Sequence, residues 1–252
     1  MRVRRICLSL TALCLLIVVM MNLSSCSLLF LTGSLLQSAE TRLEFVTGEN
    51  TIPESEKPEP MPEIESNADM GAISREINSM RVDEFSETEE ITDYVKITFK
   101  DYGDVIIRLR PDIAPLTVEN FRKLVSESFY DGLTIHRVVR NFVIQGGDPE
   151  GDGTGGSGTT IKGEFAENGV QNDLSHITGV ISMARKARPL DSATSQFFIC
   201  NANASASLDG KYAGFGYVVA GLEVILAISD AELNGESPVE KIVMEKVCFV
   251  TK

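Results

Sequence analysis

From Tyr94 onward the chain is a succession of short apolar runs cut by glycine, and this pattern limits the fold more than any other feature. The runs lie at 133–139, 142–146, 180–184, 196–200 and 215–219. Each is shorter than the roughly ten residues a helix needs to show its period, and each is bounded by turn residues. Tyr94–Phe99 alternates apolar and polar residues, meets Asp101-Tyr102-Gly103, and is followed by Asp104–Arg110. That is the pattern of a β-hairpin. Two segments break the rule. Thr117–Ser126 carries Val118, Phe121, Leu124 and Val125 at helical spacing with Thr117 placed to cap it, and a second helix is expected near 222–231. A last strand is expected at 239–250. The expectation is a mainly β domain, barrel or sandwich, with two covering helices.

The N-terminus has a different character. Arg2, Arg4 and Arg5 precede an uncharged apolar run from Ile6 to Met21, and Leu23-Ser24-Ser25-Cys26 follows. This is the architecture of an export signal over residues 1–25. The last four residues resemble a bacterial lipobox, in which Cys26 would carry a diacylglyceryl anchor. The alternative is an uncleaved N-terminal transmembrane anchor, since apolar character resumes at Leu28–Leu31. Either arrangement predicts an extracytoplasmic protein held at a membrane.

Charge then separates the remainder. Residues 38–93 hold sixteen acidic and four basic side chains, so the net charge of −13 mostly describes this stretch. Ile52–Glu63 is rich in Pro and Glu, a composition that cannot bury enough apolar surface to order itself. Residues 26–93 are therefore read as an acidic, flexible tether, with a short amphipathic helix conceivable over 70–85. The acidic balance disfavours a sequence-independent nucleic-acid binder. Two histidines and no Cys-x-x-Cys exclude a His-rich or zinc-type metal site.

Three stretches carry the chemistry. They are Ile135-His136-Arg137-Val138-Val139-Arg140-Asn141-Phe142-Val143-Ile144-Gln145-Gly146-Gly147-Asp148, Ser192-Ala193-Thr194-Ser195-Gln196-Phe197-Phe198-Ile199, and Leu208-Asp209-Gly210-Lys211-Tyr212-Ala213-Gly214-Phe215-Gly216. In this order and spacing they closely resemble the cyclophilins, which are peptidyl-prolyl cis/trans isomerases. The resemblance spans residues 94–252. It implies a closed eight-stranded antiparallel β-barrel capped by two α-helices, with the substrate groove on its outer face. It implies catalytic Arg137, Gln145 and Phe142, and substrate-binding positions Val143, Gly153, Ala184, Gln196, Phe198, Leu208 and Tyr212.

These residue types suit the reaction. Amide resonance opposes rotation of an X–Pro bond with a barrier of roughly 18–20 kcal/mol. No covalent bond breaks, so no nucleophile, metal or cofactor is required. Stabilising the twisted amide is enough, and a fixed guanidinium can donate toward its nitrogen. Phe142, Val143, Phe198 and Leu208 would form an apolar slot for the proline ring. Gln145 would position Arg137 and the substrate backbone.

Competing motifs are weaker. Gly151–Gly156 formally matches a dinucleotide loop, but Asp148, Glu150 and Asp152 would repel phosphate and no helix follows. The same stretch lacks the twelfth-position Glu of a calcium loop, having Thr159 there. His136 is expected to be packed and hydrogen-bonded, and His176 structural. Cys200 and Cys248 are expected to be small buried thiols, and whether they pair is left open. The chain departs from the family at Ser207, where many members carry Trp or His, which implies weak cyclosporin binding at most. It also departs at Tyr212, at Val143 and in a longer loop over 185–191. The expected function is acceleration of X–Pro rotation in proline-containing unfolded or exported polypeptides. The alternative is a non-catalytic proline-peptide-binding module on the cell surface.

Overall fold

The structure, a computed structural model, describes residues 69–252. The expected export signal, Cys26 and the expected tether up to residue 68 lie outside the described residues.

The hairpin forms as its alternation requires. Strands β2 (Tyr94–Phe99) and β3 (Gly103–Leu109) pair antiparallel from Tyr94↔Arg108 to Phe99↔Gly103. Asp101 and Gly103 take the left-handed backbone that the tight turn demands, at φ 64° and 115°. Val95, Ile97 and Phe99 bury one face of β2. The five apolar runs become β4 (Thr134–Ile135) with β5 (Arg137–Val139), β6 (Val143–Gly146), β7 (Val180–Met183), β8 (Phe197–Cys200) and β9 (Gly214–Ala220). The last strand, β12, is Ile242–Thr251. Counting β1 (Ser86–Glu87), the sheet runs β1-β12-β2-β3-β9-β7-β8-β6-β5, and every pairing is antiparallel. Strand β4, one residue before β5, pairs with β12 through Ile135↔Ile242 and Thr134↔Val243. A separate hairpin, β10 (Leu233–Asn234) with β11 (Ser237–Pro238), was not expected from the sequence.

Four helices are present among the described residues: α1 (Met70–Glu76), α2 (Pro115–Ser126), the one-turn α3 (Ser205–Leu208) and α4 (Leu222–Ser229). The main core lies between the inner strand faces and helices α2 and α4. Phe121 of α2 contacts the rings of Tyr130, Phe197 and Phe215 at centroid distances of 5.1–5.9 Å. Helix α2 begins two residues before the expected start, with Pro115 in its first turn, where the missing N–H costs nothing. Thr117 is not the cap. The carboxylate of the fully buried Glu164 accepts from Leu116 N, Thr117 N and Thr117 Oγ1 at 3.1, 2.8 and 2.6 Å. A cap supplied 47 residues later has no local signature.

The tether boundary also moves. Residues 69–93, expected to be flexible apart from a short helix over 70–85, are folded onto the sheet, and the helix spans Met70–Glu76. Asp69 caps α1 by accepting from Gly71 N and Ala72 N. Ile73 is fully buried in a second cluster with Ile106, Ile113, Leu174, Val180, Tyr217 and Val219, and Ile77, Met80, Val82 and Phe85 pack against it. Asn78 N and Met80 N donate to Val218 O and Val219 O, while Glu76 bonds Arg108 and Tyr217. Strand β1 pairs with the end of β12. The high charge of this stretch misleads because most of its acidic groups are partnered. Glu87 sits between Lys96 and Lys246, whose hydrogen bonds pull its carboxyl down to about 2. An ion pair joins Asp93 to Arg122.

Candidate active site

Strand register assembles the site. Arg137 lies opposite Gln145, Gln145 opposite Phe198, and Phe198 opposite Ser182, a row across β5, β6, β8 and β7. Their neighbours Val138, Ile144, Phe197 and Ile181 belong to the core, so the row stands on the outer face. Directly opposed residues on one face are close enough to interact.

A polar chain runs along part of this row. Arg137 Nη1 donates to Gln145 Oε1 at 3.3 Å, and Gln145 Nε2 donates to Gln196 Oε1 at 2.9 Å. Gln196 Nε2 then donates to the carbonyls of Gly153 and Gly155 at 3.1 and 2.8 Å. The loop carrying Gly153 is held from below by Asp148, which accepts from Glu150 N, Asp152 N and Gly153 N. Gly153 has φ +92°, which disfavours any side chain there. This use of Asp148 and the glycines accounts for the loop without phosphate or calcium. Among the described residues no group of three or more His, Cys, Asp or Glu is arranged to hold a metal.

Beside the polar chain lies the apolar part. Val143, Phe198, Cys200, Ala204 and Leu208 form one buried cluster, with Phe142, Ala184 and Tyr212 packed against it. All ten site residues expected from the sequence thus fall in the polar chain or in this apolar cluster. Gln145, Gly153, Ala184 and Gln196 also line an adjoining cavity of about 440 Å³ that extends under the 185–192 loop. Ser207 is exposed on α3.

Three residues outside the expected set support the walls. His176 is buried and stacks on Phe198 at 6.0 Å between ring centroids. Its Nδ1 meets Asp209 Oδ1 at 2.8 Å and its Nε2 meets Ser182 Oγ at 3.0 Å. Burial lowers the His176 pKa, and the Asp209 carboxylate offsets part of that shift. The structural role expected of His176 therefore holds, with the added result that it backs Phe198. Arg185 lies between the Phe165 and Tyr212 rings at 4.7 and 4.8 Å, and Tyr212 meets Phe198 edge-on at 5.5 Å. Glu236, at the tip of the β10–β11 hairpin, accepts from Arg137 Nε at 2.6 Å. Only the Asp209 partner of His176 had a sequence signal, in Leu208-Asp209-Gly210.

His136 differs from expectation. Both ring nitrogens are buried and neither has a hydrogen-bond partner among the described residues. Burial lowers its pKa, with Asp148 and Asp152 opposing and Arg137 reinforcing the shift. Cys200 and Cys248 are both free.

The model of the cyclophilin-type peptidyl-prolyl cis-trans isomerase family matches residues 94–248, and the chain belongs to that family. Among curated proteins it is 43% identical over 141 residues to peptidyl-prolyl cis-trans isomerase B of Bacillus subtilis, covering 56% of this chain and 94% of that protein. It is 40% identical over 148 residues to a peptidyl-prolyl cis-trans isomerase of Helicobacter pylori, covering 58% of this chain and 86% of the relative. Among solved structures it is similar to a cyclophilin-type isomerase of Cryptosporidium parvum crystallised in the presence of the dipeptide Ala-Pro. That match has a TM-score of 0.58 and 27% identity, and covers 63% of this chain and 99% of the other.

Proposed function

We propose that the protein applies its peptidyl-prolyl cis/trans isomerase activity to exported polypeptides, using the groove of β5, β6 and β8. One observation carries the assignment of the groove: strand register sets Arg137, Gln145 and Phe198 side by side on the outer face. The proline ring enters the apolar slot of Phe142, Val143, Phe198 and Leu208. The guanidinium of Arg137 donates toward the amide nitrogen as resonance is lost and the nitrogen recovers its lone pair. Gln145 bonds Arg137 on one side and Gln196, itself linked to Gly153, on the other, so the donor belongs to one polar chain along the groove. Ala184, Gln196, Gly153 and Tyr212 line the path of the flanking peptide. Nothing in this scheme requires a cofactor.

The finer architecture belongs to the same reading. Treating 134–139 as one strand bent at His136 gives eight strands in a closed barrel, capped by α2 and α4. The export signal and lipobox support attachment to a membrane outside the cytoplasm through Cys26, or through an uncleaved anchor. Among the described residues no helix is long and apolar enough to cross a membrane. Exposed Ser207 in place of a large ring supports weak cyclosporin binding at most.

The test is isomerisation of a short Ala-Pro peptide by residues 69–252, beside Arg137→Ala. The variant is expected to lose roughly 100-fold or more in kcat/KM, the usual scale for one preorganised donor. A fast rate in both proteins removes Arg137 from the centre. Peptide binding without any rate enhancement favours the non-catalytic binding module.

A further inference from the structure

The hairpin β10–β11 contributes nothing to the apolar slot or to the glycine loop, yet its tip reaches Arg137. Leu233↔Pro238 and Asn234↔Ser237 are its paired positions, leaving Gly235 and Glu236 as the turn. Three contacts align this segment with β5. Val138 N donates to Glu236 O at 2.7 Å, Arg140 Nη2 donates to Ala231 O at 2.7 Å, and Arg137 Nε donates to Glu236 Oε2 at 2.6 Å. Backbone and side chain of one residue therefore grip two consecutive residues of β5.

The geometry divides the guanidinium. Glu236 takes Nε and Gln145 takes one N–H of Nη1, while Nη2 makes no bond among the described residues. The Gln145 contact is long at 3.3 Å and made to a neutral amide, and the Glu236 contact is short and made between opposite charges. A long arginine side chain held by the weaker bond alone would sample several rotamers. Held at two of its nitrogens, the rigid fork can present Nη2 in one direction only. Leu233–Pro238 lies outside the three motif stretches, and Glu236 is 99 residues from its partner.

We propose that Glu236 is a positioning residue for the isomerisation, fixing Arg137 through Nε so that Nη2 is left to donate. This rests on the isomerase assignment of Arg137. The carboxylate also offsets part of the guanidinium charge, and were that its main effect, removing it would raise the rate. Orientation is expected to dominate, because a misplaced donor gives up most of what preorganisation contributes.

The experiment uses the full chain in detergent solution, as wild type, Glu236→Ala, Glu236→Gln and Arg137→Lys. It reads isomerisation of an Ala-Pro peptide and exchange of the Arg137 Nε–H by NMR, assigned by its loss in Arg137→Lys. Glu236→Ala is expected to lower kcat about three- to tenfold with KM nearly unchanged, and to speed exchange of that proton. Glu236→Gln keeps an acceptor at Nε and is expected to retain about half or more of the wild-type kcat. An unchanged or raised kcat in Glu236→Ala overturns the proposal. So does a loss of rate with Nε–H exchange unaltered, which would mark a merely structural hairpin. Absence of activity in the wild type itself overturns the isomerase reading and the proposal with it, and is told apart because no variant is involved.

Discussion

Ile73→Ala separates a folded arm from a tether. Ile73 is 2% exposed, on a helix that composition alone assigns to flexible chain. If residues 69–93 were solvated, the substitution would change stability by less than about 0.5 kcal/mol, as surface changes do. In the structure the side chain packs in one cluster with Ile106, Tyr217 and Val219, and its truncation leaves a cavity under α1. Buried Ile→Ala changes cost about 2–5 kcal/mol. Single domains are stable by about 5–15 kcal/mol, so this is a large share. For a domain of this size, each kcal/mol moves Tm by about 2–4 °C, so a drop between about 4 and 20 °C is expected. Urea unfolding of residues 69–252, followed by circular dichroism, gives the free energy directly. Ile91→Ala is the control, since Ile91 is 62% exposed and should shift the midpoint little. A loss below about 0.5 kcal/mol for Ile73→Ala, with the m value unchanged, would refute the packing argument.

Other consequences are open to measurement. Glu164→Ala strands two backbone donors and a buried hydroxyl at the start of α2, and should cost about 3 kcal/mol or more in urea unfolding. A cost under about 1 kcal/mol would show that another group takes over the cap. His136 and His176 both have pKa values lowered chiefly by burial, so the unfolded chain binds protons first. Stability should therefore fall as pH drops below about 6.5, and His176→Gln should flatten the decline. An identical slope in that variant would remove His176 from the account. Arg185→Ala takes the cation from between Phe165 and Tyr212 and should raise KM for an Ala-Pro peptide about two- to fivefold, a loss on the scale of one exposed cation–π contact. An unchanged KM would show that Tyr212 holds its place without it.

The strands and helices facing the main core were readable because local patterns reported them. The alternation of Tyr94–Phe99 and the spacing of Val118, Phe121, Leu124 and Val125 match the faces that are buried. The three motif stretches name residues that the sheet brings together on one outer face and in one apolar cluster. Within the folded arm the sequence shows no more than a short helix, because charge density outweighs its few apolar residues. A signal was nevertheless present elsewhere. Val105-Ile106-Ile107 and Tyr217-Val218-Val219-Ala220 are unbroken apolar runs, and every one of these residues is buried. A strand with one wet face alternates, so two such runs require a cover on the outer face. Ile106, Tyr217, Val219 and Ala220 do belong to the cluster under α1. Glu164 and Glu236 were beyond reach for another reason. Each acts across tens of residues through one side chain, and nothing in the local sequence distinguishes it from a surface glutamate.

The apolar wall of the groove also determines how the protein meets oxidants. Cys200 lies in that wall with Val143, Phe198 and Leu208, fully covered. Burial pushes its thiol up to about 12, with Asp209 adding to the shift. At neutral pH only about one molecule in 100,000 would carry the thiolate, the form that attacks disulfides and peroxides. Cys248, half-buried on β12, is shifted upward as well, mainly by burial. The packing of this apolar cluster thus makes Cys200 chemically quiet. The groove can work among disulfide-forming reagents without a reductant to maintain it.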